Sequence, residues 1–521
     1  MNYQRRTLYY FLPLILLLVA FVVRSTDRPL SDFAGYYFGG KAILKGNFMG
    51  AYDMEALNFN IASLGHRGVF VSYAPFPPFN SLVFAPFVCL PVSAAKLVFN
   101  IISALLFVVA VFRSFRFFDI PDYFLLLIPL LFFTPIVNNV YFGQGYLLLL
   151  ALLLEGFLAY RKQNLVLSSI FWGVAILFKL FPAVIFFYLL LRKEYKNALY
   201  LFLACTFFFL VSLVINGVEV WQYYFGNILP KLNAGELNDP FTISFQSVFM
   251  LLKRTFIYDD LLNPYPVYKS QYLFIIFMGL FKAGILAVVI SLSKQKKLSS
   301  TMSFALWLFV SMLVSPNGSS YSLILLLFPF LALIIDYKDH KFLFGLSAVL
   351  LFLACNIKIQ WFAHLPLYAE FPRLYLLLFL FLFIVWRHLA SVKPLTIFFV
   401  ALLFILPGII FIKNDVDSSS YLLQKEKDLF IYDFGVKNAY LTYSFWDGNA
   451  KERRTKFEIK TISNENVFIR NNQIYWGNQQ LTHSADMKKK AVLVNKNSII
   501  YLSDKNRGVG FYTLRKITLP I

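Results

Sequence analysis

Apolar residues run in long unbroken stretches from Leu8 to about residue 412, broken by short polar clusters. Runs of that length, with few charges inside them, are read as membrane-crossing helices. The segments predicted are roughly 8–23, 80–112 with a kink near Pro86–Pro91, 123–138, 146–160, 165–178, 180–192, 197–215, 271–293, 300–314, 319–336, 341–355, 373–387 and 394–412. Several fall short of the ~20 residues that a straight span needs, so they tilt little, thin the bilayer or end in a cavity. Two long polar loops interrupt the series, at 24–79 and 216–270. The first is too apolar for a disordered linker and suits short amphipathic helices on the membrane surface. From Lys413 the pattern changes to strand alternation, as in "KFEIKTI", "NVFIR", "QIYWG" and "AVLVN". The whole predicts an α-helical polytopic membrane protein of about thirteen transmembrane helices over 1–412, followed by a small β-rich domain over 413–521. "YLSDKNRGVGFYTLRKI" resembles one propeller blade, but the tail is too short to close a propeller.

Composition narrows the class. Of 521 residues 59% are hydrophobic and 14% are charged, against roughly 25% charged in soluble domains. That excludes an ordinary cytosolic enzyme and a disordered chain. The net charge of +21 raises the question of nucleic acid. However, the basic residues sit in clusters between apolar runs: Arg113 and Arg116, Arg161 and Lys162, Arg192 with Lys193 and Lys196, Lys294 with Lys296 and Lys297, Lys338 with Lys341, and Arg387 with Lys393. This is the positive-inside signal of cytoplasmic loops and implies no nucleic acid. By parity both long loops and the tail face outward. The apolar run after Arg5 and Arg6 lacks a small-residue cleavage site and is expected to stay as the first helix. Cys89, Cys205 and Cys355 lie in apolar stretches at no metal-site spacing, and are expected to be buried thiols.

Against this background a few polar residues stand out. Asp32 follows the first helix at the membrane surface, in register with Tyr36, Gly39, Gly40 and Ile43. A partly shielded carboxylate there is suited to general-base work, or simply to starting a surface helix as an N-cap. Pro75, Pro77 and Pro78, two residues after Tyr73, fix the entry to the next apolar block. Asn138, Asn139 and Gln144 mark an outward helix end, where they either bind hydroxyls of a sugar or phosphate or cap the helix. Lys179 is one charge among about twenty apolar residues. Such a lysine costs ~2.5–3.5 kcal/mol and usually faces a cavity or an anion, unless it snorkels. The turn Ser315 to Tyr321 offers backbone amides to an anionic or hydroxylated ligand, or is an ordinary turn. Asp415 and Asp417 are spaced for a divalent ion but sit in a linker. Glu155 falls near mid-membrane as helix-bundle glue. His66, His364 and His388 are isolated, and the phosphate-loop and zinc motifs are missing, so neither metal nor cofactor is implied.

Taken in order, "SDFAGYYFGGKAILKGNFMGAYD", "YAPFPPFNSLVFAPFVCLP", "GQGYLLLLALLLEG", "GVAILFKLFPAVIFFYLLLRKEY" and "VSPNGSSYSLILLLFPFL" resemble glycosyltransferase family 87, the polyprenyl-phosphate-mannose-dependent mannosyltransferase type with a GT-C bundle. The resemblance spans about residues 30–335 and leaves the tail uncovered. It implies a hexosyltransferase that moves one sugar, mannose favoured, from a polyprenyl-phosphate donor to a glycolipid or glycan acceptor on the outer face of a bacterial inner membrane. Asp32 would be the catalytic base and Lys179 the contact for the donor phosphate. Tyr36, Tyr73, Asn139, Gln144, Asn317 and Tyr321 would line the substrate. Asn317 and Tyr321 depart from the His or other polar aromatic that the family often carries after the late Ser-Pro turn. A lipid-linked oligosaccharide polymerase or ligase, and a transporter or flippase for an anionic or lipid-linked solute, are the alternative functions.

Overall fold

The computed structural model describes residues 3–519 except 237–238, 296–297, 338–339, 387–393, 411–418, 424–429, 438–439, 447–449, 457–461, 464–465 and 496. Asp415, Asp417, His388 and the break at Lys413 lie outside the described residues, as do Lys296, Lys297, Lys338, Arg387 and Lys393. Helix is present in each of the thirteen predicted segments. Five helices are long and apolar enough to cross a membrane: Tyr9–Asp27, Val92–Phe117, Tyr195–Asn216, Gln271–Lys294 and Ser320–Tyr337. A sixth span results if Asp122–Leu131 and Phe133–Phe142, bent by 63°, count as one. The expected thirteen spanning helices are therefore not reached on length among the described residues. Leu165–Phe178, Phe181–Leu191, Ser300–Val314, Lys341–Asn356, Pro372–Val385 and Pro394–Ile410 are apolar but short.

The breaks have local causes. The segment expected at 80–112 is not one kinked helix. Asn80–Phe84 ends before Pro86, and a new helix starts at Val92, directly after Pro91. Proline lacks the amide that a continuing helix needs and is tolerated at a helix start. The proline loop before it is pinned by side chains. Asn216 donates to the Pro78 carbonyl, and Asn80 donates to the carbonyl of Phe178 at 2.9 Å. Glu155 is paired with Arg113 at 3.1 Å, one helix to the next, toward the ends where Arg116 and Arg161 also lie. It is not an isolated mid-membrane carboxylate.

The first polar loop forms short helices that bury Phe33, Tyr36, Tyr37, Phe38 and Ile43 against the rest of the chain. The small residues make this possible. A Cβ on Gly39 would stand 2.3 Å from the Tyr73 ring. Cys355 is buried and Cys205 partly so, but Cys89 is exposed, contrary to the expectation of a buried thiol.

The C-terminal region is β-rich as its alternation predicts. Antiparallel strands Lys488–Val494, Ser498–Ser503 and Thr513–Thr518 form the middle of a five-stranded sheet, completed by Ser420–Tyr421 and Ile462–Ser463. Two three-stranded sheets flank it, Phe430–Lys437 with Tyr440–Trp446 and Ala450–Lys456, and Val467–Arg470 with Gln473–Trp476 and Gln479–Gln480. The region packs on both polar loops. Met54, Phe59 and Phe70 join the core formed by Phe430, Phe434, Leu502 and Phe511. Apolar burial of this kind is what holds a small sheet in place.

Candidate functional site

Four helix-end turns converge on one cluster of polar and aromatic side chains. The first carries Asp32, the opening residue of a short helix, after Ser31 with φ of 48°. Neither residue caps the helix: Ser31 makes no cap bond, and the Asp32 carboxylate instead accepts a hydrogen bond from Gln144 at 2.6 Å. Gln144 comes from the second turn, Gly143–Gln144–Gly145. Gly143 takes φ of +64° and ends Phe133–Phe142, as a left-handed C-terminal glycine does. Gly145 lets the Phe178 ring approach, since a Cβ there would lie 2.3 Å from it. The glutamine between them is thus aimed inward. Its Nε2 donates to Asp32, and its Oε1 accepts from the Tyr36 hydroxyl at 3.1 Å.

Lys179 occupies the third turn. Its backbone is extended, it ends Leu165–Phe178, and the chain resumes as a tight turn at Phe181–Ala183 around Pro182. The side chain is 8% exposed. Its ammonium faces three rings: Phe76 at 4.5 Å, Tyr146 at 4.8 Å and Tyr36 at 5.6 Å. Among the described residues it has neither an ion pair nor a hydrogen-bond acceptor. Ring faces attract a cation, worth ≈ 2 kcal/mol or more when desolvated, but leave all three N–H donors unspent.

The fourth turn, Ser319 to Tyr321, is held by adjacent asparagines. Asn138 donates to Ser320 Oγ at 2.7 Å and Asn139 to the Tyr321 carbonyl at 2.9 Å. Asn139 gives its other amide proton to Pro135 and accepts from the Tyr146 amide, so its side chain is fully engaged with backbone. The Tyr321 ring packs on Tyr146, 5.4 Å between centroids.

Of the residues singled out from sequence, Asp32, Tyr36, Gln144, Lys179 and Tyr321 are brought together, and Asn139 braces them. Tyr73 adjoins through Phe76, at 5.5 Å between centroids. Its hydroxyl is buried and has no partner. Asn317 is on the turn leading to Tyr321, but makes no hydrogen bond to Asp32, Gln144 or Lys179; its Oδ1 is buried without a partner. Phe76, Tyr146 and Phe178 were not singled out. Each stands in an apolar or aromatic stretch with no local mark, and only the fold brings Phe76 and Tyr146 to the Lys179 ammonium and Phe178 onto Tyr36. Lys96 was also missed; it lies near Asp32 and donates to the Pro29 carbonyl.

Burial pushes the Asp32 carboxyl above the usual carboxylate range, against the pull of the Gln144 hydrogen bond and then the charges of Lys179 and Lys96. A carboxylate so placed holds a proton more readily than one in water. The Tyr36 hydroxyl is driven well above the ordinary tyrosine value, chiefly by burial, and so stays a donor.

The turns of this apolar helical bundle thus bring together a carboxylate and an ammonium that has no ion pair among the described residues. The model of Glycosyltransferase family 87 matches residues 74–316. The match agrees with the resemblance read in the motifs and is consistent with a glycosyltransferase family 87 assignment over that segment, a little under half of the chain. The matched segment includes Asn139, Gln144 and Lys179, and leaves out Asp32, Tyr36, Tyr73, Asn317, Tyr321 and the β-rich region. No curated protein matches the chain.

Proposed function

We propose that the protein transfers a single hexose, mannose favoured, from a polyprenyl-phosphate sugar to a hydroxyl of a glycolipid or glycan, with inversion. The observation that carries this reading is the Lys179 ammonium, buried in an aromatic cage with no ion pair among the described residues, near the partly buried Asp32 carboxylate. A buried cation is normally paired. A phosphate ester would complete Lys179, and the rings around it exclude water, which strengthens the attraction. In the step itself, Asp32 takes the proton from the acceptor hydroxyl as its oxygen bonds to the anomeric carbon. The bond from that carbon to the phosphate oxygen breaks, and polyprenyl phosphate leaves with its charge held by Lys179. The donor already carries a stable leaving group, so the chemistry requires no nucleotide.

Gln144 and Tyr36 orient Asp32. Tyr73, Asn317 and Tyr321 are assigned to the sugar and the acceptor, with Asn139 supporting Tyr321 from behind. In this reading 1–412 forms a GT-C-type transferase domain and 413–521 a separate β-rich domain. Both polar loops and the β-rich domain then face outward from a bacterial inner membrane. The test is transfer from polyprenyl-phosphate mannose and glucose to a panel of glycolipids by purified wild type and Asp32→Asn. Loss of general-base catalysis lowers the rate by about 10²–10⁴. Donor binding should survive in Asp32→Asn. Full activity in the variant would remove Asp32 from the step, and lack of donor binding by the wild type would remove the donor class.

A further inference from the structure

A cavity of about 320 Å³ opens where the second polar loop meets the β-rich region. One wall is Gly226–Glu236, the other is Ser484–Met487 with Lys505–Val509, and Gln271 closes it. Gln271 begins the membrane-crossing helix Gln271–Gln295, so the cavity lies at a membrane boundary. Its size suits a short oligosaccharide, at the small end of the range for ligand sites.

The hydrogen-bonding groups of the walls decide what fits. Lys231 is already spent: its three donors go to Asp504 Oδ1 at 2.7 Å, the Asp504 carbonyl at 3.1 Å and the Arg507 carbonyl at 3.2 Å. It has nothing left for a phosphate or a carboxylate. Asp486 is likewise engaged, by Lys488, Ser503 and the Ser484 hydroxyl. Glu236 offers a carboxylate that accepts no hydrogen bond among the described residues, and the Gln271 amide is likewise uncommitted among them. Lys505, the other cation on the walls, has a contact of its own, so what remains unspent, at Glu236 and Gln271, is carboxylate oxygen and neutral amide. These take hydroxyl donors and repel anions.

The cavity is also joined to the transferase site. Tyr223 reaches Met487 Sδ from its hydroxyl at 3.7 Å and packs on Tyr52. Tyr52 packs on Tyr73, and Tyr73 on Phe76, which faces Lys179.

We propose that this seam is a binding site for a neutral, hydroxyl-rich glycan, the distal part of the acceptor. The acceptor role rests on the transferase reading; the binding site does not. The experiment is titration of the full-length protein in detergent with α-mannotetraose, and with tetragalacturonate as the anionic control. It compares wild type, Glu236→Ala and the cavity-filling Asn227→Trp, whose parent side chain is exposed and which should therefore fold. The neutral tetrasaccharide is expected to bind wild type, and its Kd to rise at least tenfold in both variants. In transfer assays the same variants raise KM for the acceptor with kcat unchanged. Equal binding by all three proteins, preference for the tetragalacturonate, or no binding of the neutral sugar to wild type would each overturn the site. Cavity-dependent binding in a protein that transfers no sugar would uphold the site and overturn the transferase reading instead.

Discussion

Two lysines in this chain, Lys179 buried and Lys231 largely so at 14% side-chain exposure, meet the same physical problem in opposite ways. Lys231, in the seam with the β-rich region, is paired with Asp504, whose side chain is fully buried, and donates to two carbonyls besides. Lys179, at the turn between two short helices, has ring faces around it and no anion. A paired and fully bonded cation is a fastener. It joins the second polar loop to the loop Ser503–Phe511, whose Val509 carbonyl in turn accepts from Met54 of the first polar loop. A cation held by ring faces alone keeps its hydrogen-bonding capacity for something absent from the chain. The difference teaches that burial of a charge does not mark a site; burial without a partner does.

Replacing each lysine by glutamine should separate the two roles. Lys179→Gln is expected to lower kcat/KM for transfer by about 10²–10³, or ~3–4 kcal/mol, the usual cost of removing a group aimed at developing charge. Its thermal stability should not fall, because no partner is stranded. Lys231→Gln leaves the Asp504 carboxylate buried and uncompensated, at a cost of ~3–5 kcal/mol. That loss should appear as a lower melting temperature, while donor binding is kept. A stability loss in the first variant and none in the second would invert the comparison.

How much of this was legible beforehand follows from what each feature depends on. The helical segments and the strand alternation are local periodicities, and they were readable. So was Lys179, because a charge in an apolar run stands out in one dimension. The thirteen expected spans are not reached on length among the described residues because apolarity does not measure length: Lys179, Pro86 and Pro91 and the 63° bend after Leu131 divide the apolar stretches into shorter helices. The cage was not readable, since Phe76 and Tyr146 are ordinary aromatic residues until separate turns bring them to Lys179. The Gln144 bridge was half readable. The glycines on either side signalled a tight turn, but nothing nearby in sequence named Asp32 and Tyr36 as its partners.

The glycine beside that bridge gives the next effect in size. Gly145→Ala places a Cβ 2.3 Å from the Phe178 ring. Phe178 is rigidly placed beside Lys179, so the ring must shift. Overpacking of this kind costs ~1–3 kcal/mol. Thermal melts should show that loss, and transfer should fall with it. Gly284→Ala, where nothing stands within 4 Å of the added carbon, is the control expected to change neither.

Gln144→Leu should act through pH more than through stability. A general base works deprotonated, so kcat/KM rises as pH passes the Asp32 pKa. Burial already raises that pKa, and the Gln144 hydrogen bond opposes the rise by stabilising the charged form. Without the bond the acid limb of the profile moves to higher pH. The variant should lose about tenfold at the acid end and recover to within about twofold of wild type on the alkaline plateau. A uniform loss at all pH values would mean that Gln144 binds substrate and does not tune the base.

The smallest expected effect bears on the buried hydroxyl of Tyr73, which has no partner among the described residues. An unsatisfied buried polar group costs free energy, so deleting it should leave stability equal or slightly higher. Tyr73→Phe should therefore melt within about 1 °C of wild type or above it, since a change of a few tenths of a kcal/mol moves the midpoint little. If the hydroxyl exists for the sugar, KM should still rise, by about threefold to tenfold for a lost hydrogen bond of ~1 kcal/mol. Lys179 and Tyr73 would then obey one rule at two magnitudes: a polar group left unpaired beside the site is matched by something that arrives. Unchanged KM would make Tyr73 a packing residue that closes on Gly39, and would confine the rule to the cation.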